Sequence, residues 1–295
     1  MMQNLGTINR NRKTKNYRSR SQYGTLTGII IVIAILLFIA CAVLFLLWVR
    51  KNSARLDAIH QYESGQLADS IMAMDTVLTM WAPFDGELDE DMLLYKGDAY
   101  MKQGDFASAK VVYETLENQV KSRLEGLKTE DKQYDEAAKK QEKATLYHQM
   151  AMGLSSYAVG NYQDAVEQLL PITGNNAILH LYVGSAYRQL DMVDEMMEQF
   201  AYYSEQYGAS GYVSAELASY YLNVGEYEKA RLEIDAGLSC HDGFEREIQW
   251  AEIVYLEKTL QFGEAYEKME AYRGTYSLTE EEEKEYIFIK TRNGL

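Results

Sequence analysis

Ile29 to Val49 is an unbroken run of 21 apolar residues, and no Asp, Glu, Lys or Arg stands between Arg20 and Arg50. Such a run offers water no polar face. At about 1.5 Å per helical residue it matches a hydrocarbon core about 30 Å thick. The sequence therefore predicts a transmembrane helix over residues 26–49, and everything else must fold from its flanks. A cleavable signal peptide would carry a shorter apolar core and a small-residue cleavage site, whereas this run closes on Leu47-Trp48-Val49-Arg50. Phe38-Ile39-Ala40-Cys41 is a poor lipid-attachment box, because cleavage before Cys41 would leave Ala42 to Val49 dangling; Cys41 reads as a small apolar residue of the span.

Flanking charge orients the span. Arg10, Arg12, Lys13, Lys15, Arg18 and Arg20 precede it, against Arg50, Lys51 and Arg55 after it. Basic residues stay on the cytoplasmic side, so a single-pass cell-membrane protein with a cytoplasmic N-terminus and an extracytoplasmic bulk is expected. Residues 1–25, polar, basic and aperiodic, read as a disordered tail attracted to anionic headgroups.

Beyond residue 51 there remain 21 basic against 44 acidic residues. A surface so acidic repels phosphate backbones, which argues against nucleic-acid binding. Only Pro83 and Pro171 interrupt a sequence rich in Ala, Leu, Glu, Met and Tyr, so the fold class is all-α. Cys41 and Cys240 make no disulfide framework.

One pattern recurs: a Gly, an aromatic two residues on, an Ala three beyond, and a large apolar residue four beyond that. It is present as Gly104, Phe106, Ala109 and Tyr113, as Gly160, Tyr162, Ala165 and Leu169, and as Gly225, Tyr227, Ala230 and Ile234. Looser copies are Gly65, Leu67, Ser70 and Met74, then Asp191, Val193, Met196 and Phe200, then Phe262, Ala265 and Met269. The Gly ends one helix in the left-handed region, the aromatic opens the next, and the Ala lets two helices approach. Upstream, Gly97 with Tyr100, Gly184 with Tyr187 and Ala218 with Tyr221 mark the first helix of each pair. The unit is a helical hairpin.

These residues resemble the tetratricopeptide repeat family over roughly residues 54–275, with five to six units. The spacing is irregular in the first half, where Lys121 to Lys143 reads as two neighbouring helices prolonged and joined near Gly126 to Thr129. The repeat domain is placed at 52–276. Thr279 with Glu282 reads as a capping box that opens a closing helix within 277–295. Pro83 to Asp91, with five carboxylates, reads as a solvated acidic linker, since the ligand spacing of a calcium loop is missing.

The resemblance implies that the first helix of each hairpin lines a protein-binding groove. Its residues here would be Leu94, Asp98, Met101 and Lys102; Tyr147, Met150, Leu154 and Tyr157; Leu181, Ser185 and Arg188; and Tyr212, Ala215, Ser219 and Asn223. Where family members that clamp acidic C-termini carry Lys and Asn, this sequence has Leu94 with Asp98, Met150 with Leu154, and Leu181 with Ser185, and Tyr with Met suits extended or helical peptide segments.

No catalytic residue, metal site or cofactor is expected. His60, His148, His180 and His241 have no metal-ligand spacing, Cys240-His241-Asp242 reads as an inter-repeat loop, and nucleotide loops and nucleophile elbows are absent. The sequence therefore describes a membrane-tethered scaffold for envelope or secreted proteins, with other proteins or peptide segments as partners and self-association permitted. Two other settings fit it: a cytoplasm-facing assembly or quality-control adaptor, and the regulatory platform of an envelope enzyme.

Overall fold

The computed structural model describes the backbone of residues 8–294 and the side chains of residues 27–294. Of the tail expected to be disordered at residues 1–25, residues 1–7 lie outside the described residues, and from Ile8 on the backbone is helical. Helix α1 (Ile8–Glu63) carries the apolar run and continues without a break into the first repeat. The stretch Thr27–Glu63 is long and apolar enough to cross a membrane, and its apolar window is wholly uncovered by the rest of the chain. Its last turn differs, since Leu47 and Trp48 are half-buried and Lys51 is fully buried.

Twelve helices follow: α2 (Leu67–Thr79), α3 (Gly86–Lys102), α4 (Phe106–Glu125), α5 (Tyr134–Ala158), α6 (Tyr162–Leu169), α7 (Ile178–Gln189), α8 (Val193–Tyr207), α9 (Gly211–Asn223), α10 (Tyr227–Leu238), α11 (Glu245–Lys258), α12 (Phe262–Thr275) and α13 (Glu280–Arg292). The described residues contain no strand, and the only other element is a 3-10 stretch at Leu170–Asn175. The long charged stretch forms the end of α4 and the start of α5, as the sequence predicts.

Each expected turn position is left-handed: Gly65, Gly104, Gly160 and Gly225 at φ between 75° and 81°, Asp191 at 57° and Leu260 at 65°. At five of the six, paired bonds close the helix end. The N–H groups of Gln66, Asn161, Met192, Glu226 and Gln261 donate to carbonyls five residues back, and those of Gly65, Gly160, Asp191, Gly225 and Leu260 to carbonyls three back. This is the Schellman arrangement, which satisfies carbonyls the helix leaves open. An exposed Leu in that region is strained by about 1–2 kcal/mol, against an entropic cost of about 0.5–1 kcal/mol for Gly. Leu260→Gly is therefore expected to stabilise the C-terminal hairpin by about 0.5–1 kcal/mol, which slower hydrogen exchange in α11 and α12 would register.

The residues after each turn form the core. The small position of every copy (Ser70, Ala109, Ala165, Met196, Ala230, Ala265) and the large one (Met74, Tyr113, Leu169, Phe200, Ile234, Met269) are at most 1% exposed. Phe106, Tyr162 and Tyr227 each occupy the first position of their helix. Close approach is enforced from the other side by glycines: a Cβ on Gly184 would overlap the Phe200 ring, and one on Gly153 would overlap Leu169. Gly184→Ala gains about 1 kcal/mol of helix propensity but overpacks the α7–α8 contact, for an expected net loss of about 1–2 kcal/mol in thermal unfolding.

The chain divides into two compact units, one comprising Met1–Gly104 with Thr115–Ala137, the other Asp105–Glu114 with Ala138–Leu295. In the first unit α1 packs on α2 and α3, around Ala58, Met74, Val77 and Met92. In the second, α9 packs on both α7 and α11, so first helices neighbour one another, and α13 closes against α12. The expected capping box is formed, with Thr279 accepting from the Glu282 N–H and Glu282 accepting from the Thr279 N–H.

The acidic stretch from Pro83 to Asp91 is not the solvated linker read from sequence. Asp85 and Asp89 lie 2.7 Å and 2.6 Å from the Lys51 ammonium, Asp91 lies 2.8 Å from Arg55, and Glu87 and Glu90 each lie 2.8 Å from Arg123. Three basic residues more than thirty positions away pair with its five carboxylates, and α3 opens inside it, where carboxylates favour a helix N-terminus.

Candidate functional site

The sequence assigns the binding surface to first helices, and in the second unit three of them bring their side chains together. Tyr157, near the end of α5, meets Tyr182 of α7 edge-on with centroids 5.2 Å apart, and Tyr162 edge-on at 5.5 Å. Phe106 extends the row, 6.4 Å from Tyr182. Edge-to-face geometry places the positive rim of one ring on the negative face of the next.

Hydroxyls join these rings. The Tyr157 hydroxyl lies 2.9 Å from Ser185 Oγ, and the Tyr212 phenol of α9 interacts electrostatically with both groups. Ser185 is fully buried. One turn beyond Tyr212, Glu216 accepts from Arg188 Nε of α7. Tyr212 also rests edge-on against Phe244, 5.2 Å away.

The electrostatics follow from burial. The Tyr212 phenol is pushed far above its ordinary value by desolvation, reinforced by the Glu216 charge. Desolvation likewise raises Tyr157 and Tyr182. All three stay protonated at neutral pH, as neutral hydrogen-bonding groups and not as bases or nucleophiles. With Arg188 already matched by Glu216, the surface offers aromatic faces and hydroxyls, with the Glu247 carboxylate acting on Tyr182. That set suits the alternating apolar and amide groups of a peptide.

The expected groove residues divide. Tyr157, Arg188 and Tyr212 meet in this cluster, and Ser219 and Asn223 lie farther along α9, half-buried and exposed. Met150 is half-buried, its sulfur 4.0 Å from Asn176 Nδ2, and Tyr147 leans on buried Tyr113 at 5.4 Å. Leu154 and Leu181 are 3% and 2% exposed, and Ala215 is also buried, so these three are core residues and not groove residues. The reason is register: on α7 the side chain facing the cluster is Tyr182, one residue beyond Leu181, a rotation of about 100°. Sequence reasoning missed Tyr182, Glu216 and Phe244. The spacing Tyr182, Ser185, Arg188 is the helical repeat that could have found the first.

Leu94, Asp98 and Met101 belong to the first unit, all half-buried on α3. Asp98 accepts from the Tyr62 hydroxyl and lies 3.2 Å from the Lys102 ammonium, which itself stands 4.3 Å above the Tyr62 ring. Burial and the Asp98 bond raise the Tyr62 phenol. Asp98 and Lys102 thus bond each other and α1.

Among the described residues no group of three or more His, Cys, Asp or Glu is arranged to hold a metal. In the Cys240-His241-Asp242 loop, Asp242 accepts from the Gly211 N–H at 2.9 Å, tying the loop to the start of α9. Burial raises the Cys240 thiol.

A tetratricopeptide repeat protein from Parabacteroides merdae has a solved structure that aligns with a TM-score of 0.52 at 13% identity, covering 81% of this chain and 98% of that one. The TPR domain of P58(IPK) aligns with a TM-score of 0.31 at 14% identity, covering 82% of this chain and 77% of that one. No family model and no curated protein matches the sequence. Hairpins turning on left-handed residues, the buried small–large ladder behind each turn, and the likeness to the Parabacteroides merdae protein together give this chain the tetratricopeptide-repeat fold.

Proposed function

We propose that this protein is a non-catalytic, membrane-tethered scaffold that binds peptide segments of envelope or secreted proteins on the α5–α7–α9 face of its second unit. The observation that carries the reading is the aromatic surface of Tyr157, Tyr182, Tyr212 and Phe244, with the Tyr157 hydroxyl held by buried Ser185 behind it and Arg188 paired with Glu216. The tether is α1, whose apolar stretch is uncovered along most of its length. The flanking charge supports repeats outside the cytoplasm.

Two experiments test this. A photo-crosslinking amino acid at Met150 or Ser219 should trap a protein partner in intact cells, while the same group at exposed Leu232 of α10 should not; equal labelling from both faces would remove the assignment. A phosphatase fused after Leu295 should be active, as that enzyme works only outside the cytoplasm; an inactive fusion, with a cytoplasmic reporter active instead, would turn the partner search to cytosolic proteins.

A further inference from the structure

We propose that the α2–α3 loop, Met80 to Asp85, docks on the bilayer that α1 crosses, with the Trp81 and Phe84 side chains in the boundary between headgroups and acyl chains. The inference rests on the reading of α1 as a membrane span. Phe84 is 99% exposed and Trp81 65% exposed, while Ala82 between them is 1% exposed. Two large aromatics thus face outward from a loop whose middle is anchored. Phe84 stands at φ 57°, a left-handed conformation that a bulky residue adopts only when its surroundings hold it there.

What holds it also gives its height. One oxygen of Asp85 accepts both the Ala82 N–H, at 2.9 Å, and the Lys51 ammonium, at 2.7 Å. Lys51 lies two residues beyond Val49, the last apolar residue of the run. Helical side chains lean toward the helix N-terminus, so the Lys51 ammonium points back toward the apolar end of α1, and Asp85 with its loop is held at that level. Half-burial of Leu47 and Trp48, against the exposure of Ile29 to Leu46, agrees that the folded unit begins at the edge of the span.

The chemistry fits a lipid surface. Trp and other amphipathic aromatics concentrate at the headgroup level, where ring and polar edge are both accommodated. The nearby carboxylates oppose this only in part, because three cations, Lys51, Arg55 and Arg123, pair with the five of them, and a zwitterionic headgroup layer tolerates the remaining charge. Together with α1, the loop gives the first unit a second point on the membrane, which stops it turning about the α1 axis.

The three tryptophans provide the test. Single-tryptophan forms of the full chain, retaining Trp48, Trp81 or Trp250 with the other two changed to Phe, are reconstituted in phosphatidylcholine vesicles. Their acyl chains carry bromine near the glycerol end, and emission is compared with that in unbrominated vesicles. The Trp81 form is expected to lose most of its emission, as the Trp48 form does, while the Trp250 form keeps its own; adding Phe84→Glu should restore part of the Trp81 signal. Quenching of Trp48 with Trp81 as bright as Trp250 would overturn the docking and leave the span intact. Failure to quench Trp48 would remove the span and the docking together.

Discussion

Changing Asp85 and Asp89 together to Asn is expected to destabilise the first unit by about 3–5 kcal/mol, the usual result of stripping a buried charge of its partners. Lys51 is 0% exposed, and the two carboxylates are its ion-pair partners. Asn preserves volume and still accepts the Ala82 N–H, so the loss isolates the charge. Hydrogen exchange in α2 and α3 of the detergent-solubilised chain should quicken by a factor of about a hundred or more. Adding Lys51→Met should recover most of the loss, since it removes the buried charge whose missing partners caused it. No recovery would mean that the carboxylates act through something other than Lys51. The two carboxyls are not equivalent. Burial raises both, but for Asp85 the bonds from Lys51 and the Ala82 N–H outweigh it and leave the group below its ordinary value. Asp89 stays above its own, with the Asp85 charge adding to the effect of burial.

Glu282→Ala is expected to cost about 3 kcal/mol at the other end of the chain, because it leaves the buried Tyr272 hydroxyl without an acceptor and removes a charged cap. Glu282 is 8% exposed and accepts from Tyr272 at 2.8 Å, from Arg246 at 2.8 Å and from the Thr279 N–H at 2.7 Å. Burial alone would raise its carboxyl, yet these donors outweigh burial and hold it below the ordinary value of 4.5. A carboxyl lowered in the folded state contributes stability that is fully present above its unfolded value and lost as pH falls through the folded one. Exchange in α13 should therefore rise as pH drops below about 4.5 in the wild type and change less in Glu282→Gln. Equal acid sensitivity in both would assign the effect to another carboxylate. Since α13 closes over Tyr272 and Met269, its release exposes the last hairpin core to water.

The two predictions concern the ends of the repeat array, where no neighbouring hairpin covers the apolar face. At the N-terminal end α1 itself supplies the first helix of the first hairpin, so no flexible linker separates the apolar run from the repeats. Ala58, the first fully buried apolar residue after the run, is nine positions from Val49, about 13 Å along the helix. The apolar run and part of the first unit's core thus lie on one helix, and the surface on α5, α7 and α9 belongs to the second unit.

The sequence by itself determined the features that depend on local conformation and period. Turn positions at 65, 104, 160, 191, 225 and 260 were legible because a chain that must reverse between helices needs a left-handed residue, and Gly adopts that region most cheaply. The buried small–large ladder was legible because three and four residues separate neighbours on one helical face. The apolar run needed only its length and lack of charge. Tertiary structure decided what depends on how helices rotate against one another. It turned Tyr182 to the surface and Leu181 and Leu154 into the core, a difference of one residue in register that two apolar neighbours in a sequence cannot announce. It also brought Asp85 and Asp89 to Lys51 across 34 and 38 positions, where the sequence showed an acidic stretch and a basic flank with nothing to pair them. A charge is long-ranged and undirected in sequence, and only the packing of α1 against α3 selected its partner.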